Sequence, residues 1–449
     1  MQEGGCEMNG SKETEPALVF EETKQAGEVR SRWEWTEPSI WTDRMLVTLE
    51  QGVRGGKWFS LCDKAFSVRS LEASFARVKA SGGAKGVDGV TIDRFERDLD
   101  ANLARLHREL MAGEYQPQAV LRVWIPKPGS REKRPLGIPT VRDRVVQGAI
   151  KAALEPIFEK EFCDGSFGFR PGRSCHKALS RVYRGLREGR QCVVDADLRR
   201  FFDTIPHEII MRGLEARVSD GKLLTVVGRY LMQKVFDEQT WRTVTEGTPQ
   251  GSVISPLLAN IALHGLDMLA KEKGYDLVRY ADDFVVLCET SRDAESALEE
   301  VAAWLESQGL SLNREKTRKV DHASGESFDF LGFTFRNGKF FPRKKSVQKL
   351  RDKVRDKTGR SSGKSLSAII QELNPVLRGW FGYFKASHES QFERLDGFVR
   401  RRLRALLDRR SGKHCAYRGA TLHRWPNVYF ERACLFTMAG AKRALTNPL

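Results

Sequence analysis

Two adjacent carboxylates, Asp282 and Asp283, interrupt an otherwise apolar stretch and constrain the fold most strongly. The stretch reads LVRYADDFVVL over residues 277–287 and is typical of two buried strands joined by a turn. Acids among apolar side chains are unfavourable unless a positive charge compensates them, and Mg²⁺ prefers hard oxygen ligands. An ordinary turn also uses Asp, but usually beside Gly or Asn, so the pattern favours a divalent metal site.

A second acidic segment, residues 192–203 (CVVDADLRRFFD), predicts another strand followed by a turn or helix. Alternation places Asp195 and Asp197 on the same strand face, so spacing alone does not choose between them. Asp203, in the turn or helix, is a third candidate. A pair of metal ions needs carboxylates from more than one strand, which predicts that this segment lies beside the first. The alternative is that these are surface acids paired with the neighbouring arginines.

Charge is distributed unevenly along the chain. The net charge is +16, but residues 336–449 hold 27 Lys and Arg against 8 Asp and Glu, a net of +19, which leaves −3 for the rest. This asymmetry favours a nucleic acid bound by the C-terminal region over a merely solubilising surface. Apolar stripes predict basic helices from residue 347, at 366–373 and at 392–406, with a Ser- and Gly-rich linker at 359–363.

Several protein classes are disfavoured by what the sequence lacks. No apolar run reaches about 18 residues and the first residues are acidic, so we expect no membrane span, secretory signal or transit peptide. The eight cysteines never form Cys-x-x-Cys, which disfavours a zinc ribbon or a disulfide framework and favours a reducing, cytoplasmic location. Residues 1 to about 30 are polar and Glu-rich, as in a disordered leader.

The order of helices and strands predicts the α+β class rather than a repeated βαβ sheet. Helical spacing begins at Leu71 and stops at Gly82, and a second helix is expected at 93–111. Further predicted elements are a strand at 120–125, a helix at 294–308, and a strand at 328–335 followed by a hairpin at Gly338.

Together, these motifs resemble the palm of a reverse transcriptase and, more narrowly, the group II intron reverse transcriptase/maturase family. The core motifs, in the family's order, are 197–202, Thr-Pro-Gln-Gly at 248–251 and Tyr-Ala-Asp-Asp at 280–283. Supporting motifs stand at 86–89, 134–139, 168–174, 310–316, 330–333 and 374–380. The resemblance runs from about Trp33 to the C-terminus.

The resemblance implies a right-hand polymerase, with fingers and palm built from an antiparallel sheet plus helices, followed by an α-helical thumb/maturase domain. It divides the chain into five parts: a leader and Trp-rich segment (1–60), an N-terminal extension with fingers (61–190), a palm (191–340), a basic helical thumb (341–410) and a short basic DNA-binding-like tail (411–449). Without paired Cys-x-x-Cys motifs, we expect the endonuclease-lacking type.

The resemblance also implies catalytic roles. In the family pattern the metal-binding Asp precedes an aromatic residue by five positions, which selects Asp197 with Phe202; Asp282 and Asp283 complete a site for two Mg²⁺ ions, with Mn²⁺ as a substitute. The Phe202 ring would exclude a 2′-OH and so favour deoxynucleotides, although core packing is an alternative. Lys316 would protonate pyrophosphate, against the alternative of a solvated lysine.

Substrate-binding roles follow by the same resemblance. Nucleotide-binding residues would be Lys127, Arg134, Phe202, Gln250 and Tyr280. Arg170 and Arg173 would contact template or triphosphate, with a structural loop as the alternative. The remaining residues expected to bind nucleic acid are Lys344, Lys345, Lys349, Arg378, Arg400, Arg401 and Arg402.

The function implied is an RNA-directed DNA polymerase that binds its parent group II intron RNA, assists its splicing and copies it into cDNA during intron mobility. Its other expected partners are the DNA target, the primer–template duplex and dNTPs, with no membrane, and its location is the bacterial cytoplasm, at the nucleoid when it engages DNA. Two alternatives stay open: a splicing-only maturase that binds RNA, and a domesticated bacterial reverse transcriptase with a defence role.

Overall fold

The structure, a computed structural model, describes residues 27–53, 55–126, 133–238, 240–359, 363–411 and 418–446. The expected leader up to residue 26, and Lys127, lie outside the described residues.

Helices make up most of the described chain. They are, in order, α1 (27–32), α2 (Asp43–Gln51), α3 (Cys62–Ala65), α4 (Val68–Ser81), α5 (Ile92–Arg97), α6 (Leu99–Ala112), α7 (Val141–Glu161), α8 (Cys175–Arg187), α9 (Phe201–Thr204), α10 (His207–Glu215), α11 (Gly221–Leu231), α12 (Ser255–Glu272), α13 (Ser291–Ser307), α14 (Lys344–Lys357), α15 (Leu366–Phe384), α16 (Ser390–Arg410), α17 (Arg418–Arg424), α18 (Asn427–Arg432) and α19 (Met438–Thr446).

The strands form three sheets. They are β1 (Val120–Pro126), β2 (Lys133–Ile138), β3 (Cys192–Asp197), β4 (Val235–Asp237), β5 (Thr240–Arg242), β6 (Asp276–Tyr280), β7 (Asp283–Cys288), β8 (Arg318–Asp321), β9 (Phe328–Phe330), β10 (Phe333–Arg336) and β11 (Lys339–Pro342). The first sheet has the order β2-β1-β4-β5, the central sheet β6-β7-β3-β8, and the third β11-β10-β9. This mixture confirms the predicted α+β class.

The central sheet is antiparallel throughout and buried on both faces. Alternate residues such as Val194 and Phe284 join a core with the N-terminal helices and α12 and α13. Their neighbours Val193 and Val285 join a second core that contains the third sheet and the C-terminal helices. The sheet therefore separates two hydrophobic cores, one on each of its faces.

Several predicted elements need correction at their boundaries. The helix that starts near Leu71 is confirmed as α4, with Ser67 as its side-chain N-cap and Gly82 at its end. The single helix expected at 93–111 is instead two, α5 and α6, because the backbone at Asp98 leaves the helical region (φ −118°, ψ 42°).

The expected strand at 328–335 is also two strands. Leu331 and Gly332 both have positive φ (49° and 81°), which makes a tight turn between β9 and β10. The hairpin predicted at Gly338 is confirmed, since Asn337 and Gly338 repeat this conformation between β10 and β11. Glycine favours such a turn because it has no Cβ.

The C-terminal region is helical, as predicted, but its second helix is longer than predicted and its last helices pack on the others. The second helix was expected to end near residue 373, yet α15 continues through Pro375 to Phe384, because Leu377 and Phe381 prolong its buried stripe. Helix α19 is held against this bundle: the buried Asp396 carboxylate accepts hydrogen bonds from the backbone amides of Met438 (3.0 Å) and Ala439 (2.9 Å). Within the described ranges, no helix is long and apolar enough to cross a membrane.

A buried carboxylate stabilises the contact between α7 and the segment before β1. Asp143 is fully buried and accepts hydrogen bonds from the Tyr115 hydroxyl and the Gln118 amide. Burial raises the pKa of Asp143 to about 6, although these hydrogen bonds oppose the rise. Because the folded state holds this proton more tightly than the unfolded chain, the contribution to stability is present at low pH and is lost as pH rises through 6.

We therefore expect the wild-type protein to lose stability relative to the Asp143→Asn variant as pH rises. The difference in free energy of unfolding should fall by about 2 kcal/mol between roughly pH 4.5 and 7.5. Urea denaturation of both proteins across this range measures it. Parallel stability profiles would show that Asp143 does not titrate there.

Candidate active site

Three carboxylates from distant parts of the chain meet at one end of the central sheet, where β3 ends and β7 begins. In the antiparallel pairing of β3 with β7, Asp197 stands directly opposite Asp283. Asp283 also pairs with Tyr280 at the end of β6, and Asp282 occupies the intervening turn. The predicted adjacency of the two acidic segments is thus confirmed by the register.

The three acids of residues 192–203 differ in their partners and in their positions on the strand. Asp195 is bound by Arg318 of β8 at 3.2 Å, and Asp203 lies 3.6 Å from Arg200. Asp197 is at the end of its strand, beside Asp283. The register thus places Asp197, rather than Asp195 or Asp203, directly opposite Asp283.

Burial and neighbouring acids raise the pKa values of Asp282 and Asp283. Burial raises the pKa of Asp283 to about 7, and the negative charges of Asp195, Asp197 and Asp282 add to this effect. Burial also raises the pKa of Asp282, with a further contribution from Asp197. Such a concentration of hard oxygen donors is relieved by a divalent cation, so the donor set fits Mg²⁺.

The loop at 310–317 engages Asp197. The Lys316 ammonium lies 2.8 Å from an Asp197 carboxylate oxygen, and the Asn313 side-chain amide donates to the same oxygen at 3.3 Å. The backbone amide of Asn313 donates to the Asp197 carbonyl at 2.8 Å. As placed, the side chains of the described residues form no group of three or more potential metal ligands. Asn313 was missed in the sequence, although it lies within the 310–316 motif.

The loop that carries Gln250 contacts the elements that carry two other predicted nucleotide-binding residues, Phe202 and Arg134. The Thr248 amide donates to the Phe202 carbonyl at 2.7 Å, and the Gly137 amide donates to the Gln250 carbonyl at 2.6 Å. The half-buried Phe202 ring packs edge-on against Phe201, at 5.6 Å between centroids. The loop with Gln250 therefore contacts both the end of β2 and the helix that carries Phe202.

The two remaining predicted nucleotide-binding residues are Arg134 on β2 and Tyr280 at the end of β6. Arg134 is exposed on β2, and its positive charge partly offsets the burial that raises the pKa of Asp282. Tyr280 packs against Phe169, and its hydrogen bond with Cys175 raises the pKa of its hydroxyl to about 12. Tyr280 is therefore uncharged at neutral pH.

The expectation that Arg170 contacts template or triphosphate does not fit the structure. Its guanidinium is buried and makes five hydrogen bonds, two to Glu159 and three to backbone carbonyls. With these donors engaged, Arg170 holds its loop, as the structural alternative predicted. Arg173 is partly exposed; it pairs with Asp164 at 2.7 Å and lies over the Phe167 ring.

The predicted nucleic-acid-binding residues of the C-terminal helices are mostly on the surface. Those that are exposed are Lys344, Lys345, Lys349, Arg378 and Arg401. Arg400 is half-buried. Arg402 donates to the Thr358 hydroxyl (3.1 Å) and carbonyl (2.9 Å), so it ties α16 to the end of α14.

Comparison with known proteins agrees with this geometry. The family model described as "Reverse transcriptase (RNA-dependent DNA polymerase)" matches residues 125–335, and "Group II intron, maturase-specific domain" matches 347–425. Protein YkfC of Escherichia coli (strain K12) is 34% identical over 341 residues, covering 67% of this chain and 84% of YkfC. The chain belongs to the group II intron reverse transcriptase/maturase family. It contains a reverse transcriptase (RNA-dependent DNA polymerase) domain followed by a group II intron maturase-specific domain.

Two further relatives are themselves intron-encoded by name. Group II intron-encoded protein LtrA of Lactococcus lactis subsp. cremoris is 38% identical over 183 residues, or 41% of this chain and 30% of LtrA. The putative COX1/OXI3 intron 1 protein of Saccharomyces cerevisiae is 28% identical over 366 residues, or 69% of this chain and 43% of that protein. The matched region thus spans less than half the length of both proteins.

In this reverse transcriptase/maturase, Gly168 supports the catalytic turn by close backbone contact. A Cβ at this position would lie 2.3 Å from the Ala281 nitrogen, a distance that real Cβ atoms do not show. The Gly168 carbonyl also accepts a hydrogen bond from Asn260 at 2.8 Å. A side chain at residue 168 must therefore displace the turn that carries Asp282.

We expect Gly168→Ala to lower the rate of primer extension by about 100-fold, since displacing reacting groups by about 1 Å costs this much. Extension of a DNA primer on an RNA template measures the rate. The control is Gly228→Ala in α11, where a Cβ meets nothing within 4 Å, and which should leave the rate unchanged. Wild-type activity in the Gly168→Ala protein would contradict the assigned role of this contact.

Proposed function

We propose that this protein binds its parent group II intron RNA, assists its splicing and copies the RNA into cDNA during intron mobility. The observation that supports this most is the meeting of Asp197, Asp282 and Asp283 at one end of the central sheet, next to a packed bundle of basic helices. The primer–template duplex, the DNA target and dNTPs are its other proposed partners. It would act in the bacterial cytoplasm, at the nucleoid when it engages DNA.

The same three carboxylates would hold a pair of Mg²⁺ ions. Mn²⁺ would serve as a substitute, because both cations prefer oxygen ligands. When bound, such ions supply Lewis acidity: they make the primer 3′-OH a better nucleophile and stabilise the charge of the leaving pyrophosphate. Asn313 and Lys316 would orient Asp197 for this purpose, through the contacts they make to its carboxylate.

Other residues of the chain would bind and select the nucleotide. Arg134, exposed on β2 and near Asp282, is placed to bind the triphosphate, with two parallel hydrogen bonds available from its guanidinium. The exposed part of the Phe202 ring would exclude a ribose 2′-OH, while the rest packs on Phe201. The Lys316 ammonium carries a proton that it can donate to pyrophosphate.

The first turn of α14 supports RNA binding. Lys344 and Lys345 are exposed at the N-terminus of this helix, where no acidic residue is present. Cations are unfavourable at the positive end of the helix dipole, whereas a phosphate is favourable there and would relieve their repulsion. Structured RNA is recognised by shape and backbone, so a broad basic surface suits this partner.

We expect Asp282→Asn to abolish cDNA synthesis and to leave intron RNA affinity and splicing assistance within about 2-fold of wild type. The amide keeps the size of the side chain but removes its charge. Primer extension, filter binding and a splicing assay with the intron RNA measure the three properties. Undiminished cDNA from the variant would refute the assigned metal site.

A wild-type protein that promotes splicing but makes no cDNA would support the splicing-only alternative. A wild-type protein that makes cDNA without binding or splicing any group II intron would support the domesticated alternative.

We expect Lys344→Gln, Lys345→Gln and Lys349→Gln together to weaken RNA binding. The slope of the logarithm of the binding constant against the logarithm of the salt concentration should become less steep by about 0.7–0.9 for each phosphate contact that is lost. Binding is measured by filter retention at several salt concentrations. The matched control replaces three exposed palm lysines, Lys271, Lys273 and Lys319, by Gln. Equal slopes for both triple variants would mean that α14 does not contact the RNA backbone.

A further inference from the structure

Arg279, the residue before the Tyr-Ala-Asp-Asp turn, is fully buried. It lies on β6, an edge strand of the central sheet, between α12 and the loop at 165–168. A charged side chain in such a place is unfavourable unless its donors are all satisfied. Its contacts therefore define what it does.

The Arg279 guanidinium makes five hydrogen bonds. Two go to the Asp267 carboxylate of α12, at 2.8 and 2.5 Å. One goes to the Ser166 hydroxyl at 2.8 Å and one to the Asn260 side-chain carbonyl at 3.0 Å. The last goes to the backbone carbonyl of Ala281 at 3.0 Å.

The bond to Ala281 acts on the catalytic turn itself. Ala281 has φ 60°, a left-handed conformation that is strained for a residue with a Cβ. Its carbonyl is fixed by Arg279, and the next residue is Asp282. Because Asp267 holds the guanidinium from the other side, the turn is anchored to helix α12.

Two further contacts extend this anchor to the neighbouring loop. The Arg279 amide donates to the Gly165 carbonyl, and the Phe167 amide donates to the Arg279 carbonyl, both at 2.8 Å. Asn260, which accepts from Arg279, donates its own amide to the Gly168 carbonyl. Helix α12, the 165–168 loop and the catalytic turn thus meet at one buried guanidinium.

We propose that Arg279 is the positioning residue of the active site, which fixes the Ala281 carbonyl so that Asp282 and Asp283 are presented in their catalytic arrangement. Asp267 and Asn260 act through Arg279. The inference rests on the proposed function for the role of the two acids, but the position of the turn is measurable without activity.

The rival interpretation is that Arg279 and Asp267 form an ion pair that only stabilises the fold. Removing Arg279 alone does not distinguish this structural role from the proposed positioning role. That change would leave Asp267 buried and unpaired, which destabilises a protein whatever the role of the arginine. Replacing both charges by apolar side chains of similar volume often leaves stability unchanged. We therefore expect the double variant Arg279→Met/Asp267→Leu to keep the fold while it removes the bond to the turn, together with the bonds to Ser166 and Asn260.

We expect the double variant to melt within about 4 °C of wild type and to bind intron RNA with unchanged affinity. Its kcat for primer extension should fall about 100-fold, with a far smaller change in KM for dNTP. Hydrogen exchange should be faster in the peptide that spans residues 280–284. If the double variant had both the melting temperature and the kcat of wild type, the proposal would be overturned and Arg279 would be a structural residue.

Arg279→Lys provides a second test that decides the question if the double variant does not fold. Lysine keeps the ion pair with Asp267 but lacks the guanidinium fork that reaches the turn at the same time. We expect near-wild-type melting with reduced kcat and faster exchange at the turn; unchanged kcat and exchange would overturn the proposal.

The matched control is Arg142→Met/Glu109→Leu. It removes a part-buried ion pair (2.6 Å) between α6 and α7, neither of which carries a catalytic acid, and should leave kcat unchanged. If wild-type protein makes no cDNA, the proposed function fails, while hydrogen exchange at residues 280–284 still tests whether Arg279 fixes the turn.

Discussion

Mutual repulsion among carboxylates at one end of the central sheet is the constraint on which the rest of the structure depends. Burial and neighbouring acids raise the pKa of Asp283 to about 7, so the fold assembles charge at a free-energy cost. Arg318 compensates Asp195 and Lys316 compensates Asp197, whereas the half-buried Asp282 follows Ala281, whose backbone is strained. The sheet can hold such a group only because strands, loop and helix are fixed around it, which favours a preorganised site over one assembled by substrate.

The sequence predicted the parts of this site that depend on local pattern. Alternation and apolar runs are enough to place strands around Asp197 and Asp282, and the family motif order supplies their neighbours. Spacing could not separate Asp195 from Asp197, because the register that sets Asp197 opposite Asp283 pairs two strands that are distant in the chain. The structural role of Arg170 is hard to predict for a different reason: its acceptors are nearby in the chain, but three of them are backbone carbonyls, which have no sequence signature.

Element boundaries were hardest where tertiary packing overrides local preference. Pro375 predicts a helix end, but the helix continues because the apolar stripe that follows it is buried, which offsets the lost hydrogen bond. Leu331 and Gly332 form a turn inside a run that is aromatic on both sides, so composition indicated one strand where there are two. The predicted tail after residue 410 contains helices that pack on the bundle, through polar bonds to Asp396 that no periodicity reveals.

The position of the basic helices relative to the acids follows from a shared core. Central-sheet residues such as Val285 pack in the same cluster as the apolar stripes of α14, α15 and α16. The Tyr383 hydroxyl donates to the Leu331 carbonyl at 2.8 Å, and His176 contacts the Tyr383 carbonyl at 2.7 Å, so the bundle is tied to the third sheet and to α8. An RNA held on the bundle is therefore held at a fixed place relative to Asp197 and Asp282. One binding surface would then serve both proposed tasks, since an RNA bound to the bundle for splicing would lie beside the site proposed to copy it.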